Sequence, residues 1–253
     1  MEKNTTKSKL LAGETVMGCL VRYHDPGLAE FLGYQGWDFF LFDAEHGTLE
    51  PRDCEHLVRA AELRRVTPLV RVTTNQQHII LRFLDIGAQG VQVPMVNSAA
   101  EAESAVRAIK FSPRGARGLA GTRPAQFGHA VPLGDYVQTA NAETIVIVQV
   151  ETVQAVAHVS EIARIDGVDV VFVGPTDLSL SLGVPGQPQH PRVHEAAEKI
   201  AAEVKRAGKI LGAFASSPES AREWRNLGAR YLVNSLESIL SSGVRQYLDQ
   251  VGA

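Results

Sequence analysis

Trp37-Asp38-Phe39-Phe40-Leu41-Phe42-Asp43 is a short, near-continuous apolar run that ends on an acid. Such a run suits a strand buried on both faces, as in a parallel sheet covered by helices. The residues after it agree. Pro51 stands where proline suits a first helical turn, and Leu57, Ala60, Ala61 and Leu63 recur at helical spacing. Outward from this unit the same alternation returns. Strands are expected at 15–21, 37–43, 68–72, 90–95, 145–150, 168–173, 210–215 and 231–236. Helices are expected at 26–34, from 51, through 79–86, and at 99–109, 153–165, 194–207 and 218–227, with a last one at the C-terminus. Residues 112–141 read as one long loop.

Eight strand-then-helix units imply parallel pairing and right-handed crossovers. In a chain of 253 residues, that count fits one closed (β/α)8 TIM barrel, a single catalytic domain over 1–253. A doubly wound open sheet lacks its marks here. No Gly-x-Gly-x-x-Gly follows the first strand, and no Gly-x-x-x-x-Gly-Lys-Ser/Thr occurs, which also disfavours a nucleotide-cofactor oxidoreductase.

Composition narrows the partners. Hydrophobic residues make up 45% and charged residues 21%, ordinary for a globular protein. A formal charge of −3 offers no field for nucleic acid or an anionic membrane. Arg114, Arg117 and Arg123 are spread over a Gly/Pro-rich loop and read as solvated or substrate-facing. Cys19 and Cys54 form neither a Cys-x-x-Cys pair nor a disulfide framework, so a reducing compartment is expected. Residues 1–11 are polar and lack the apolar centre of a signal peptide. No apolar run approaches the roughly 20 residues of a membrane span. A cytoplasmic enzyme of small molecules is the expectation.

Barrel chemistry sits at the C-terminal ends of the strands. Four such ends carry charge: Asp43-Ala44-Glu45-His46-Gly47, then Arg71, then Gln149-Val150-Glu151, then Gly174-Pro175-Thr176-Asp177. Glu151 and Asp177, at the mouths of adjacent strands, suit a hard divalent cation that keeps waters and substrate oxygens. Equally, they suit the first turns of the helices beyond those strands. Arg71 suits a carboxylate or an enolate oxygen, or a salt bridge to a nearby acid. His46, between Glu45 and Gly47, suits proton transfer near neutral pH. Asp85 is either a surface acid or a partner that orients a histidine. The other seven histidines show no His-Glu-x-x-His spacing, and no Gly-x-Ser-x-Gly elbow is present. A Schiff-base mechanism needs a lysine in the mouth, and every lysine lies in the tail, on a helix or just before a strand.

At these strand ends the chain resembles the class II, metal-dependent pyruvate aldolases of the HpcH/HpaI aldolase/citrate lyase family, in the phosphoenolpyruvate/pyruvate superfamily. The resemblance runs through Trp37-Asp38 to His46, Leu84-Asp85-Ile86-Gly87-Ala88-Gln89, Val93-Pro94-Met95, Pro113, Arg117-Gly118 and Gln149-Val150-Glu151-Thr152. It continues through Gly174-Pro175-Thr176-Asp177-Leu178-Ser179, Leu182-Gly183 and His190-Pro191, and so spans nearly the whole chain. It implies a metal on Glu151 and Asp177 (Mg2+, Mn2+ or Co2+), with Gln149 beside it. It implies that Arg71 contacts the pyruvyl oxygens, that Gln149, Thr176 and Asp177 also touch substrate, and that His46 and Asp85 form a proton-transfer dyad. The implied reaction is reversible cleavage of a 4-hydroxy-2-oxo acid, of the 2-keto-3-deoxy acid type, to pyruvate and an aldehyde through a metal-bound enolate. The implied assembly is a homohexamer, a trimer of dimers that exchange their last helix. An oxaloacetate decarboxylase, or an acyl-CoA lyase with a basic CoA-binding surface, would use the same site.

There are departures. The eighth strand ends Asn234-Ser235-Leu236-Glu237 where many relatives have a glycine and an aspartate. Thr176 replaces a common alanine, and Gly47-Thr48-Leu49 follows the histidine where relatives vary. All border the acceptor side and leave the aldehyde open.

Overall fold

Eight parallel strands close into a barrel in the order β1 to β8, each paired with its sequence neighbours and β8 with β1. The structure, a computed structural model, describes residues 1–252. The strands are β1 (Val16–Val21), β2 (Phe39–Asp43), β3 (Thr67–Arg71), β4 (Gly90–Val93), β5 (Ile145–Val150), β6 (Val170–Val173), β7 (Ile210–Phe214) and β8 (Ala229–Ser235). Around them lie α1 (Thr5–Leu11), α2 (Pro26–Gly33), α3 (Pro51–Leu63), α4 (Gln77–Asp85), α5 (Ala99–Ile109) and α6 (Leu133–Glu143). The remaining helices are α7 (Val153–Ala157), α8 (Val159–Arg164), α9 (Pro175–Ser181), α10 (Pro191–Arg206), α11 (Pro218–Asn226) and α12 (Leu236–Val251). The expected (β/α)8 TIM barrel is therefore the fold.

Side chains alternate across each strand, and this sorts the core into two layers. Outward residues such as Phe40, Phe42, Val70, Val91, Val148 and Val171 pack under the helices. Inward residues such as Phe39, Leu41, Leu69, Ile147, Phe172 and Tyr231 fill the barrel. Three inward positions are glycine, and each makes room for a neighbour. A Cβ on Gly18 would collide with the Phe39 ring, and one on Gly212 would sit 3.0 Å from both Phe172 and Tyr231. One on Gly90 would lie 2.8 Å from Leu69 Cδ2. The freed space lets Phe39 stack on Tyr231 with centroids 4.4 Å apart, while Phe172 meets Tyr231 edge-on at 6.0 Å. Such aromatic pairs contribute about 0.5–1.5 kcal/mol beyond their buried area.

Local structure departs from expectation in three places. The polar residues 1–11 include α1, which closes the floor of the barrel, the end where the strands begin. Asn4 caps that helix by accepting from Lys7 N at 2.8 Å, and its amide donates to Gln89 O and Glu143 O, both at 3.1 Å. The stretch read as one loop, 112–141, holds a short 3-10 helix (Arg123–Gly128) and most of α6. Few apolar residues mark α6; only Tyr136, Ala140 and Asn141 are buried on it. The helix expected at 153–165 is broken at His158 into α7 and α8.

Candidate active site

Strand register builds the mouth of the barrel, where the strands end. Asp43 on β2 is paired with Arg71 on β3, and Arg71 in turn with Gln92 on β4. All three side chains are buried. In the same inward column of β5 stand Gln149 and, two residues later, Glu151, both 1% exposed. Asp177 arrives from the first turn of α9 and is partly exposed.

Asp43 is the anchor. Its oxygens accept from Arg71 Nε at 2.9 Å, Arg71 Nη2 at 2.7 Å and Arg22 Nε at 2.8 Å. They also receive the backbone N–H groups of Glu45 (3.2 Å) and His46 (3.3 Å), which shapes the turn after β2. Burial alone would push its pKa up. The hydrogen bonds and charge of Arg71, then Arg22, outweigh that and hold it at about 2. Arg71 is thus locked in place by a bidentate carboxylate, and it also lies 3.2 Å from Glu45.

Glu45 belongs to the site as well, although the sequence marks it only as a neighbour of His46. In the structure its carboxyl is pushed up to about 7, first by burial and then by the charges of Asp43 and Asp177, against the pull of Arg71. Its Oε2 is buried, with the Arg71 guanidinium at 3.2 Å as an ion-pair partner but no well-aligned hydrogen bond. A signal is present in the sequence: Asp43 and Glu45 are two residues apart, like Gln149 and Glu151, and that spacing continues the inward face of a strand.

Glu151 accepts from Met95 N at 2.8 Å and from the Gln149 side-chain amide. Its pKa is raised by burial, with Asp177 and Glu45 adding to the shift. Two backbone features make that geometry possible. Met95 takes a left-handed conformation (φ 54°) to turn its N–H onto the carboxylate, at a strain of about 1 kcal/mol. Gly174 lies so close to Glu151 that any side chain there would collide with it.

Thr176 is exposed on the rim, and its carbonyl accepts from Ser179 Oγ at 2.6 Å. His46 is exposed, with Glu45 3.8 Å from its Nε2. Asp85 is elsewhere. It pairs with Arg117 at 2.9 Å, at the end of α4 that leads into the start of β4. Helices run antiparallel to the strands, so Asp85 sits at the floor while His46 sits at the mouth. One chain does not bring the expected dyad together.

The donor set fits a divalent cation. Glu151 is a buried carboxylate at the mouth with Asp177 on the rim beside it, and Glu45 Oε2 is held there only by its 3.2 Å ion pair with Arg71. Two carboxylates with open coordination match a hard ion that keeps water and substrate oxygens. Among the described residues there is no group of three or more His, Cys, Asp or Glu placed to hold a metal ion, so any cation here rests on two carboxylates. The one buried lysine among them, Lys110, is at the floor.

Fold and site together define a barrel enzyme with an acid-lined, arginine-bearing mouth. The model of the HpcH/HpaI aldolase/citrate lyase family matches residues 17–239. A hydroxypyruvate/pyruvate aldolase of Roseovarius nubinhibens is 35% identical over 97% of this chain and 95% of that protein. A 4-hydroxy-2-oxo-heptane-1,7-dioate aldolase of Shigella flexneri is 34% identical over 94% of this chain and 89% of that protein. The crystal structure of a family member from Burkholderia cenocepacia superposes with a TM-score of 0.93 at 37% identity, covering 99% of this chain and 100% of that one. The chain belongs to the HpcH/HpaI aldolase/citrate lyase family, and it is a carbon–carbon lyase of the aldolase kind.

Proposed function

We propose that this enzyme reversibly cleaves 4-hydroxy-2-oxo acids to pyruvate and an aldehyde, with Glu151 and Asp177 holding Mg2+, Mn2+ or Co2+. The observation that carries this is the buried Arg71, immobilised by Asp43 and 3.2 Å from Glu45, at the same barrel mouth as Glu151, which is held by Met95 N and the Gln149 amide. When bound, the cation supplies Lewis-acid polarisation of the substrate's keto group.

The chain's own residues do the rest. Arg71 presents a preorganised positive charge to the carboxylate and keto oxygens, a kind of contribution worth several kcal/mol as negative charge develops there. Gln149 and Thr176 contact the substrate at the inner wall and the rim. In cleavage, His46 takes the proton of the C4 hydroxyl and the C3–C4 bond breaks to release the aldehyde. The electron pair left on C3 delocalises into the keto group until C3 is protonated as pyruvate. His46 is suited to both transfers by its place at the rim and its backbone tie to Asp43.

The assembly rests on two features. Leu240, Val244, Tyr247, Leu248 and Val251 are exposed along one side of α12, and the exchanged last helix of the family resemblance would bury that stripe against a second copy. His46 and Asp85 lie at opposite ends of one barrel, so their dyad is one made between copies. A homo-oligomer, a hexamer as a trimer of dimers, is the state we assign. No helix among the described residues is long and apolar enough to cross a membrane. Two buried free thiols, Cys19 and Cys54, suit a reducing cytoplasm.

The test is pyruvate release from a panel of 4-hydroxy-2-oxo acids with each metal, then with EDTA. Release that EDTA abolishes is expected. A folded protein that binds Mn2+ yet releases pyruvate from no panel member would overturn the aldolase reading in favour of a decarboxylase or acyl-CoA lyase.

A further inference from the structure

Three buried polar side chains run in line along the inner wall of the mouth. Gln92 Nε2 on β4 donates to Gln149 Oε1 on β5 at 2.5 Å, and Gln149 Nε2 donates to Glu151 Oε2. Gln92 is 0% exposed and the other two 1%, so water does not substitute for any of these bonds. The direction of the line is dictated by chemistry. An ionised carboxylate only accepts, so Gln149 must turn its NH2 group toward Glu151. That leaves the Gln149 carbonyl facing Gln92, which must then present its own NH2 group. The orientation leaves Gln92 Oε1 buried and without a donor, a cost of about 1–3 kcal/mol set against holding the Gln149 amide in place.

We infer that Gln92 is a positioning residue: it fixes the amide of Gln149 in one of its two orientations. In that orientation Gln149 donates to Glu151 and keeps a second N–H with no acceptor among the described residues. The second hydrogen is placed for an oxygen of the 2-oxo acid, and the first holds one oxygen of Glu151 in place. The inference rests on the assignment of Glu151 and Gln149 to the binding site made above. It adds a residue two strands from Asp43 that has no contact with substrate or cation.

The test is a double-mutant cycle of Gln92→Met, Gln149→Met and the pair, in the full-length enzyme. Methionine keeps most of the volume and removes the amide. Mn2+ affinity is read by electron paramagnetic resonance, KM and kcat by pyruvate release, and thermal unfolding in EDTA. Gln92→Met is expected to weaken Mn2+ binding and raise KM by roughly tenfold each, the scale of one hydrogen bond to a charged group, with kcat changed much less. In the Gln149→Met background the same change should do nothing further. Losses that add in the double variant, or a Gln92→Met enzyme within twofold of wild type in both KM and Mn2+ affinity, would overturn the inference. If wild type bound no Mn2+, the metal assignment would fail instead. The unfolding cycle in EDTA would still decide whether Gln92 and Gln149 are coupled. Should Gln92→Met not fold, Gln92→Leu carries the same cycle.

Discussion

The two ends of this barrel are both polar and both buried, yet they use their polarity differently. At the floor, polar groups answer one another. Lys110 donates to the carbonyls of Asn141 (2.8 Å) and Thr144 (2.6 Å). Lys7 reaches Asp169 at 3.2 Å, and Thr6 bonds Thr67 at 2.8 Å and Asp38 O at 3.0 Å. The Thr144 hydroxyl and the enclosed Tyr231 phenol are exceptions. At the mouth, one end of the network is closed just as tightly, around Asp43, but it opens toward Glu45, Glu151 and Asp177, where carboxylates crowd without enough donors. The floor is built to hold. The mouth is built to hold something.

That contrast can be broken experimentally. The largest effect is expected at Asp177. Asp177→Ala should cut metal-dependent pyruvate release at least about a thousandfold, the equivalent of about 4 kcal/mol of lost stabilisation, while the melting curve stays near wild type. Next comes Asp43→Ala, which leaves the buried Arg71 with Glu45 as its one remaining carboxylate partner and should cost about 3 kcal/mol of stability along with activity, measured by chemical denaturation. Lys110→Met should cost about 2 kcal/mol, by leaving the Asn141 carbonyl short of a donor and the Thr144 carbonyl with Lys7 alone, with kcat within twofold. A floor substitution that abolished turnover without unfolding the protein would erase the distinction between the ends.

pH sharpens it further. Asp43 is held below its unfolded value, so its stabilising contribution is complete above about pH 4 and is lost as pH falls toward about 2. Asp43→Asn should remove that part of the acid slope, read from unfolding midpoints between pH 5 and 2. The smallest effect on catalysis is expected at α1. Asn4→Ala removes the cap and two amide hydrogen bonds and should cost about 2 kcal/mol of stability, with pyruvate release unaffected.

Sequence is most legible where burial leaves a strong pattern. Phe39 to Asp43 and Ile145 to Val150 declare themselves as strands because both faces are covered. α1 and α6 do not, since each buries only a few side chains, and among them Asn4 and Asn141 act through hydrogen bonds rather than apolar area. At the mouth, residue types at strand ends are enough to place Arg71, Glu151 and Asp177 there. Glu45 and Gln92 depend on which way a side chain faces in the closed barrel. Gln92 lies inside a short run, Gly90-Val91-Gln92-Val93, that reads as buried strand and little else. The pairing of Asp85 is out of reach for a different reason: it depends on which end of the barrel a helix terminus occupies, and Arg117 reaches it from a loop.

The glycines at 18, 90 and 212 carry a consequence for how this enzyme can change. Each vacates volume that a ring or branched side chain from a neighbouring strand already fills. Inward positions therefore trade space with one another, and a lone enlargement at any of the three has nowhere to go. Laboratory selection for new acceptor aldehydes should accordingly recover solitary changes on the rim, around Thr176 and Asn234, and accept interior changes only as matched pairs in which one residue shrinks as its neighbour grows.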